Sequence, residues 1–140
     1  MLLSQRGSLP LRKILQEAGL RPTQQRLALA NIMQSMGPTH ISAENLHELA
    51  NQRNIGVSLA TIYNTLHQFC AAHLLREVAL DGHKVHFDTN VTEHHHFFVE
   101  EAREIIDIPV GEVVVASMPL APAGYEVIKA DVVVRLRRAV

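Results

Sequence analysis

The first half of the chain repeats apolar residues at every third or fourth position in four stretches, which is the period of short amphipathic helices. Each stretch starts at a residue suited to the beginning of a helix: Pro10, Thr23, Ser42 and Ser58. Gly19 and Gly37 are suited to end the first two stretches. The pattern predicts four helices before residue 74, the fourth covering SLATIYNTLHQFCAAH.

Shorter segments with strand character follow the fourth helix. LLREVAL and KVHFD flank Asp81-Gly82, a dipeptide typical of hairpin turns. A polar segment, Thr89 to Glu93, predicts a hinge, and FFVEEAREIIDIP predicts two strands around a turn. Val110 to Met118 predicts a helix, and YEVIKADVVVRLRR predicts a long strand.

Helices, a tight turn, a further helix and a hairpin follow the order of a winged helix-turn-helix, whose fourth helix would read DNA. Its polar and small residues lie outward near its start: Ser58, Ala60, Thr61, Tyr63, Asn64 and His67. Asn can read adenine edges, Thr and Ala methyls can touch thymine, and a Tyr can bind phosphate or pack on a thymine methyl. An amphipathic helix packed on an ordinary helical core has the same pattern, so both interpretations stay open.

Composition narrows the class of protein. The 140 residues are 47% hydrophobic and 19% charged, which suits one domain or two small ones and argues against disorder. No apolar run reaches the roughly 18 residues of a membrane span, and the start does not have the character of a secretory signal, so we expect a cytoplasmic protein. The single cysteine, Cys70, excludes an internal disulfide and is expected to be a small buried hydrophobe.

Charge is uneven along the chain, although its net value is −1. The first thirty residues are mainly basic, and those from 81 to 110 mainly acidic. The basic residues suited to phosphate contacts are Arg12, Lys13, Arg21 and Arg26. Both regions are also compatible with ordinary solvated surfaces.

Five of the nine histidines lie between His83 and His96. In an extended segment His94 and His96 share a face while His95 points away, and Asp88 and Asp107 flank them in the chain. Imidazole with carboxylate suits Fe²⁺, Mn²⁺ or Zn²⁺. The alternative is a polar strand edge whose histidines hydrogen-bond to the neighbouring acids. The chain has no H-E-x-x-H, G-x-S-x-G or glycine-rich phosphate loop, so we expect no enzyme.

Four segments together resemble the ferric uptake regulator superfamily of metal-responsive bacterial transcription factors: LRPTQQR, HISAENL, SLATIYNTL and FDTNVTEHHH. The resemblance extends from about Leu11 to Arg137 and implies an α+β fold. A winged-helix DNA-binding domain would span residues 1–89, and a small α/β dimerisation and sensing domain residues 90–140. It also implies a homodimer bound to a palindromic, AT-rich, double-stranded DNA operator.

The resemblance also assigns roles to individual residues. The family's regulatory metal site falls on His40, Asp88, His94, His96 and Asp107. Tyr63 matches a base-contacting tyrosine, and Arg21 a basic residue that reaches the minor groove. A further histidine-rich metal site is only partly matched, by Glu93, His95 and Asp131.

The chain departs from the family pattern at Val99 and Ala102, where many members carry a C-x-x-C pair for structural zinc, so we expect no such zinc. A triple histidine without those cysteines is similar to the iron response regulator branch. That branch implies haem bound at His94, His95 and His96, with Phe97 and Phe98 against the porphyrin, and loss of DNA affinity when haem binds. Cys70 is not followed by proline, so haem-triggered degradation is not expected. The alternative is a repressor with Fe²⁺ or Mn²⁺ as corepressor and no haem response.

Overall fold

The structure is a computed structural model that describes residues 10–79, 84–92 and 94–140. The chain divides into two compact units, Met1–Val91 and Thr92–Val140. The first contains helices and a small sheet. The described residues of the second contain strands and no helix.

The first unit contains the four predicted helices, α1 (Leu11–Glu17), α2 (Gln24–Met36), α3 (Ala43–Gln52) and α4 (Leu59–Ala71). Three of them begin at a side-chain cap: Thr23 accepts the N–H of Arg26, Ser42 that of Asn45, and Ser58 that of Thr61. Gly37 ends α2 with a positive φ of 70°, which glycine adopts without a steric penalty. Apolar residues of all four helices pack into one core, including Leu15, Leu29, Leu46, Ile62 and Phe69.

A three-stranded antiparallel sheet completes this unit. Its strands are β1 (His40–Ser42), β2 (Arg76–Val78) and β3 (His86–Asp88), in the order β1-β3-β2. The two predicted hairpin strands are confirmed as β2 and β3, while the Asp81-Gly82 turn lies outside the described residues. The sequence pattern did not predict β1, which places His40 directly opposite Asp88. Four helices, with β1 between α2 and α3 and with β2 and β3 after α4, have the arrangement of a winged helix-turn-helix.

The second unit is built on another three-stranded sheet. It consists of β4 (His96–Val99), β5 (Glu104–Asp107) and β6 (Val133–Leu136), in the order β5-β4-β6. β4 pairs antiparallel with β5 and parallel with β6. The two strands predicted in FFVEEAREIIDIP are therefore confirmed. Their buried apolar residues are Phe98 and Ile105, with Ile108 just beyond β5.

Two predicted elements of this unit are wrong. Val110–Met118 forms no helix, because its run of β-branched valines is a weak helix former and Gly111 adopts a left-handed φ of 93°. The long strand predicted from Tyr125 is limited to Val133–Leu136, since the partner strand β4 has only four residues. Among the described residues, no helix combines the length and apolar character that crossing a bilayer requires.

Candidate functional site

His40 and Asp88 face each other across the sheet of the first unit. His40 Nε2 lies 3.0 Å from Asp88 Oδ2, and the two side chains are only 14% and 2% exposed. The other carboxylate oxygen, Oδ1, accepts the backbone N–H of Asn90 at 2.8 Å. A carboxylate buried this deeply needs compensating partners. Strand β1 brings the two residues together although they are far apart in sequence.

The second unit has its own cluster, made of His94, His96 and Asp107. Both Nε2 atoms approach the same carboxylate oxygen, Asp107 Oδ1, at 3.1 Å from His94 and 3.4 Å from His96. The two imidazoles are buried and their centroids are 4.5 Å apart, whereas the Asp107 side chain is 39% exposed. His96 and Asp107 are register partners on β4 and β5, so the sheet itself sets this pair.

The tautomer of His94 determines what this cluster can hold. Its Nδ1 lies within hydrogen-bond distance of the carbonyl oxygen of Thr92, so Nδ1 carries a proton and donates it. In a neutral ring Nε2 then has only a lone pair, and it faces Asp107 Oδ1, which is also an acceptor. Two acceptors at this distance repel unless a proton or a cation lies between them. A carbonyl that orients an imidazole in this way is the usual support for a metal-binding histidine.

His95 has the opposite arrangement. Its Nδ1 accepts the backbone N–H of Val132 at 3.0 Å, directly before β6. A neutral His95 ring therefore carries its proton on Nε2, and its one lone pair is already occupied. Histidines adjacent in sequence thus have different roles, because one turns towards Asp107 and the other towards the start of β6.

The further metal site stays a prediction. Glu93 lies outside the described residues, and the carboxylate of Asp131 forms an ion pair with Lys129 at 3.3 Å. With its lone pair held by Val132, His95 is not oriented as a ligand.

The prediction that Phe97 and Phe98 both offer apolar surface to a porphyrin is wrong for Phe98. Phe98 is 1% exposed and lies in the core of the second unit, with the guanidinium of Arg135 5.5 Å from its ring centroid. Phe97, which points to the other face of β4, is half-buried. Only one of the two rings has accessible surface.

The residues predicted to read DNA lie at the start of α4. Ser58, Ala60 and Asn64 are exposed, while Thr61 and Tyr63 are half-buried. The Ser58 hydroxyl accepts the Thr61 N–H at 3.1 Å and lies 2.9 Å from the Thr61 hydroxyl, to which it donates. These two hydroxyls therefore hold the first turn of the helix together.

Arg26 has a different role from the phosphate contact expected of it. Its Nε and Nη2 donate to Gln68 Oε1 at 3.2 and 3.0 Å, and Nη1 donates to the backbone carbonyl of Arg21 at 2.8 Å. These bonds tie the segment before α2 to helix α4. The side chain of Arg21 itself is exposed, and its backbone carbonyl is linked through Arg26 to Gln68 near the end of α4.

Two further side chains were missed by sequence reasoning, Glu44 and Gln68. Glu44 Oε1 accepts a 2.8 Å hydrogen bond from the Tyr63 hydroxyl, and Gln68 receives the Arg26 guanidinium. The only local signal was the position of Glu44 in the first turn of α3, which indicated a favourable helix-dipole contact and no more.

Cys70 is half-buried and packs against the helical core. Burial raises the pKa of its thiol to about 11. The thiol therefore stays protonated at neutral pH, whereas metal binding and nucleophilic chemistry require the thiolate.

Comparisons with known proteins agree with this architecture. Residues 17–134 match the Ferric uptake regulator family. The fold is similar to that of the ferric uptake regulator from Pseudomonas aeruginosa with manganese, with a TM-score of 0.68 and 24% identity, covering 93% of this chain and 98% of that one. The shared fold is α+β.

Two curated relatives have higher sequence identity over a shorter part of the chain. The Ferric uptake regulation protein of Haemophilus influenzae is 32% identical over 96 residues, covering 68% of this chain and 66% of that protein. The Peroxide-responsive repressor PerR of Staphylococcus aureus is 31% identical over 93 residues, covering 66% and 62%. The match thus spans somewhat less than two thirds of these relatives. By name, the first relative regulates ferric uptake and the second is a repressor that responds to peroxide. The chain belongs to the Ferric uptake regulator family.

Proposed function

We propose that this chain is a metal-responsive transcriptional regulator that binds a palindromic, AT-rich operator as a homodimer in the cytoplasm. The first unit would contact DNA through the start of α4, where Ser58, Ala60 and Asn64 are exposed, and through the exposed side chain of Arg21. Family membership supports this, since such regulators bind DNA as dimers.

We propose a divalent ion as the effector. The observation that carries this is the His94 lone pair directed at a carboxylate oxygen, an arrangement that a bound cation would stabilise. The proposed ligands are those of the two clusters together: His40, Asp88, His94, His96 and Asp107. Three imidazoles with two carboxylates form a donor set that fits Fe²⁺, Mn²⁺ or Zn²⁺.

A shared site would couple the ion to DNA binding. Two of the proposed ligands belong to the first unit and three to the second, with the polar segment after Asp88 between them. If all five bind one ion, part of the binding free energy goes into fixing the two units relative to each other. The ion would then favour the arrangement of the dimer that fits both halves of the operator.

The homodimer would form through the second unit. Its segment between β5 and β6 exposes several large apolar side chains, among them Leu120 at 97% and Ile128 at 83%. Apolar surface of this extent in a small unit is typical of an interaction face. A second copy of the chain is the partner that the family implies.

A haem-responsive form of this regulator is the second candidate, and the three adjacent histidines are the observation that favours it. Here haem would bind at His94, His95 and His96 and lower DNA affinity, as in the iron response regulator branch, controlling genes of iron homeostasis and haem biosynthesis. In this fold His94 and His96 face Asp107, and His95 is held by Val132. Haem would therefore have to displace these contacts and compete with the divalent ion.

Fluorescence anisotropy tests the proposal and separates its two forms. A labelled AT-rich inverted-repeat duplex is titrated with the protein and Mn²⁺ at fixed salt, beside a scrambled duplex, because phosphate contacts alone give salt-dependent binding to any sequence. Specific binding that requires Mn²⁺ and ignores haem supports the divalent-ion regulator. Specific binding that falls at stoichiometric haem supports the haem-responsive form. Equal affinity for both duplexes overturns both.

A further inference from the structure

A hydrogen bond between α3 and α4 involves a residue proposed to contact DNA. The Tyr63 hydroxyl on α4 lies 2.8 Å from Glu44 Oε1 in the first turn of α3. The other carboxylate oxygen, Oε2, is buried and bonded to no other described residue. Apart from the backbone of Glu44, the described hydrogen-bond partner of this carboxylate is therefore the Tyr63 hydroxyl.

Chemistry determines the direction of this bond. An ionised carboxylate can only accept, so the phenolic hydrogen points towards Glu44. The hydrogen bond from Tyr63, with a further one from the backbone N–H of Glu44, keeps the Glu44 pKa below its ordinary value. The same bond raises the pKa of Tyr63 above its ordinary value. At neutral pH Glu44 is therefore charged, Tyr63 is protonated, and the donor role of the hydroxyl is occupied.

This removes one of the two DNA contacts that sequence suggested for Tyr63. Phosphate oxygens only accept hydrogen bonds, and the single hydrogen of the hydroxyl is held by Glu44. The tyrosine is half-buried, so part of it stays exposed, and its hydroxyl oxygen retains a lone pair. A ring can pack on a thymine methyl, and a lone pair can accept from an amino group on a base edge.

We propose that Glu44 is a positioning residue for base recognition, which fixes Tyr63 so that its ring meets a thymine methyl in the major groove. Glu44 acts through Tyr63 and does not touch DNA. The inference rests on the proposed function, because it assumes that α4 lies against DNA.

Loss of single thymine methyl groups tests it. A duplex that binds specifically is first selected from a randomised library with the parent protein and Mn²⁺, and each thymine is then replaced by deoxyuridine. For the parent we expect an affinity loss of about fourfold at one thymine of each half-site, the effect of removing one packed methyl group. Tyr63→Ala should lose this sensitivity.

The variants at Glu44 decide between positioning and a general effect. Glu44→Ala should bind more weakly and lose the deoxyuridine sensitivity, while Glu44→Gln should keep it, because an amide oxygen still accepts from the hydroxyl. Tyr63→Phe should resemble Glu44→Ala, and combining the two should cost no more than either alone. Glu48→Ala, at an exposed position of the same helix, is the matched control and should behave as the parent.

The inference is overturned if Glu44→Ala keeps the parent's deoxyuridine sensitivity, or if its effect adds in full to that of Tyr63→Phe. Should Glu44→Ala fail to fold, Tyr63→Phe provides the test, since it removes the same hydrogen bond. If Tyr63→Phe keeps the parent's deoxyuridine sensitivity, the inference is also overturned. Selection that yields no specific duplex for the parent overturns the proposed function together with the inference. Specific parent binding with unresponsive variants overturns the inference alone.

Discussion

At the scale of single residues, the position of the ring proton distinguishes His94 from His95, which are adjacent in sequence. His94 donates from Nδ1 to a carbonyl and presents Nε2 to Asp107, whereas His95 accepts at Nδ1 from Val132. Asp88 is buried with His40, and Asp107 is shared by two imidazoles. These contacts determine which members of the histidine run can be ligands.

If one ion takes ligands from both clusters, a change in either cluster should weaken the same site. We expect Asp88→Asn and Asp107→Asn each to raise the dissociation constant for Mn²⁺ by about tenfold or more, because a neutral amide oxygen is a poorer ligand for a divalent cation. Electron paramagnetic resonance of free aqueous Mn²⁺ measures both the constant and the number of ions bound per chain.

The exposed Glu112 provides the control, and Glu112→Gln should bind Mn²⁺ as the parent does. A variant in one cluster that loses one of two ions and retains the other at parental affinity would show that the clusters are separate sites.

At the scale of elements, helix α4 depends on its first turn. Ser58 accepts the N–H of Thr61 and donates to the Thr61 hydroxyl, so both side chains are occupied in capping. The hydrogen bonds from Arg26 to Gln68 and to the Arg21 carbonyl join the segment before α2 to the same helix. The position of the proposed DNA-reading surface therefore depends on capping and on contacts between helices.

Removing the cap should lower stability without changing the core. We expect Ser58→Ala to reduce the free energy of unfolding by about 1 kcal/mol, whereas Ser58→Asp, which also accepts the Thr61 N–H, should remain close to the parent. Urea unfolding followed by circular dichroism gives these values. Ser117→Ala, at an exposed position outside any helix, should leave the midpoint unchanged. Equal midpoints for Ser58→Ala and the parent would show that this cap contributes nothing.

At the scale of the whole molecule, the two units differ in how well they bury apolar residues. The first has a core drawn from four helices and a sheet. The second is smaller and exposes apolar side chains between β5 and β6, where the predicted helix does not form. This difference supports assigning the dimer contact to the second unit.

Charge placed on that surface should separate the subunits. We expect Leu120→Asp and Ile128→Asp to shift the protein from dimer to monomer at micromolar concentration, because a carboxylate is costly to bury at an apolar interface. Sedimentation equilibrium measures the change. Met36→Asp, at an exposed apolar position of the first unit, should remain dimeric. Variants that stay dimeric would exclude this segment as the contact.

The amino-acid sequence by itself determined the four helices, three of their caps and most of the strands. These follow from residue spacing and from side chains that bond to backbone a few positions away. The valine-rich segment 110–118 does not form the helix predicted from it, because β-branched valines are weak helix formers.

Only the tertiary structure decided the rest, because those features join residues far apart in the chain. β1 is three residues long, too short for periodicity, and exists as a strand through its pairing with β3, which sets His40 against Asp88. Spacing could not reveal His40, and resemblance alone indicated it. The Tyr63 hydroxyl donates to Glu44, 19 positions away, and Nδ1 of His95 accepts from Val132, 37 positions away. Local pattern shows which side chains are available, and long-range contacts decide which of their atoms remain free to bind.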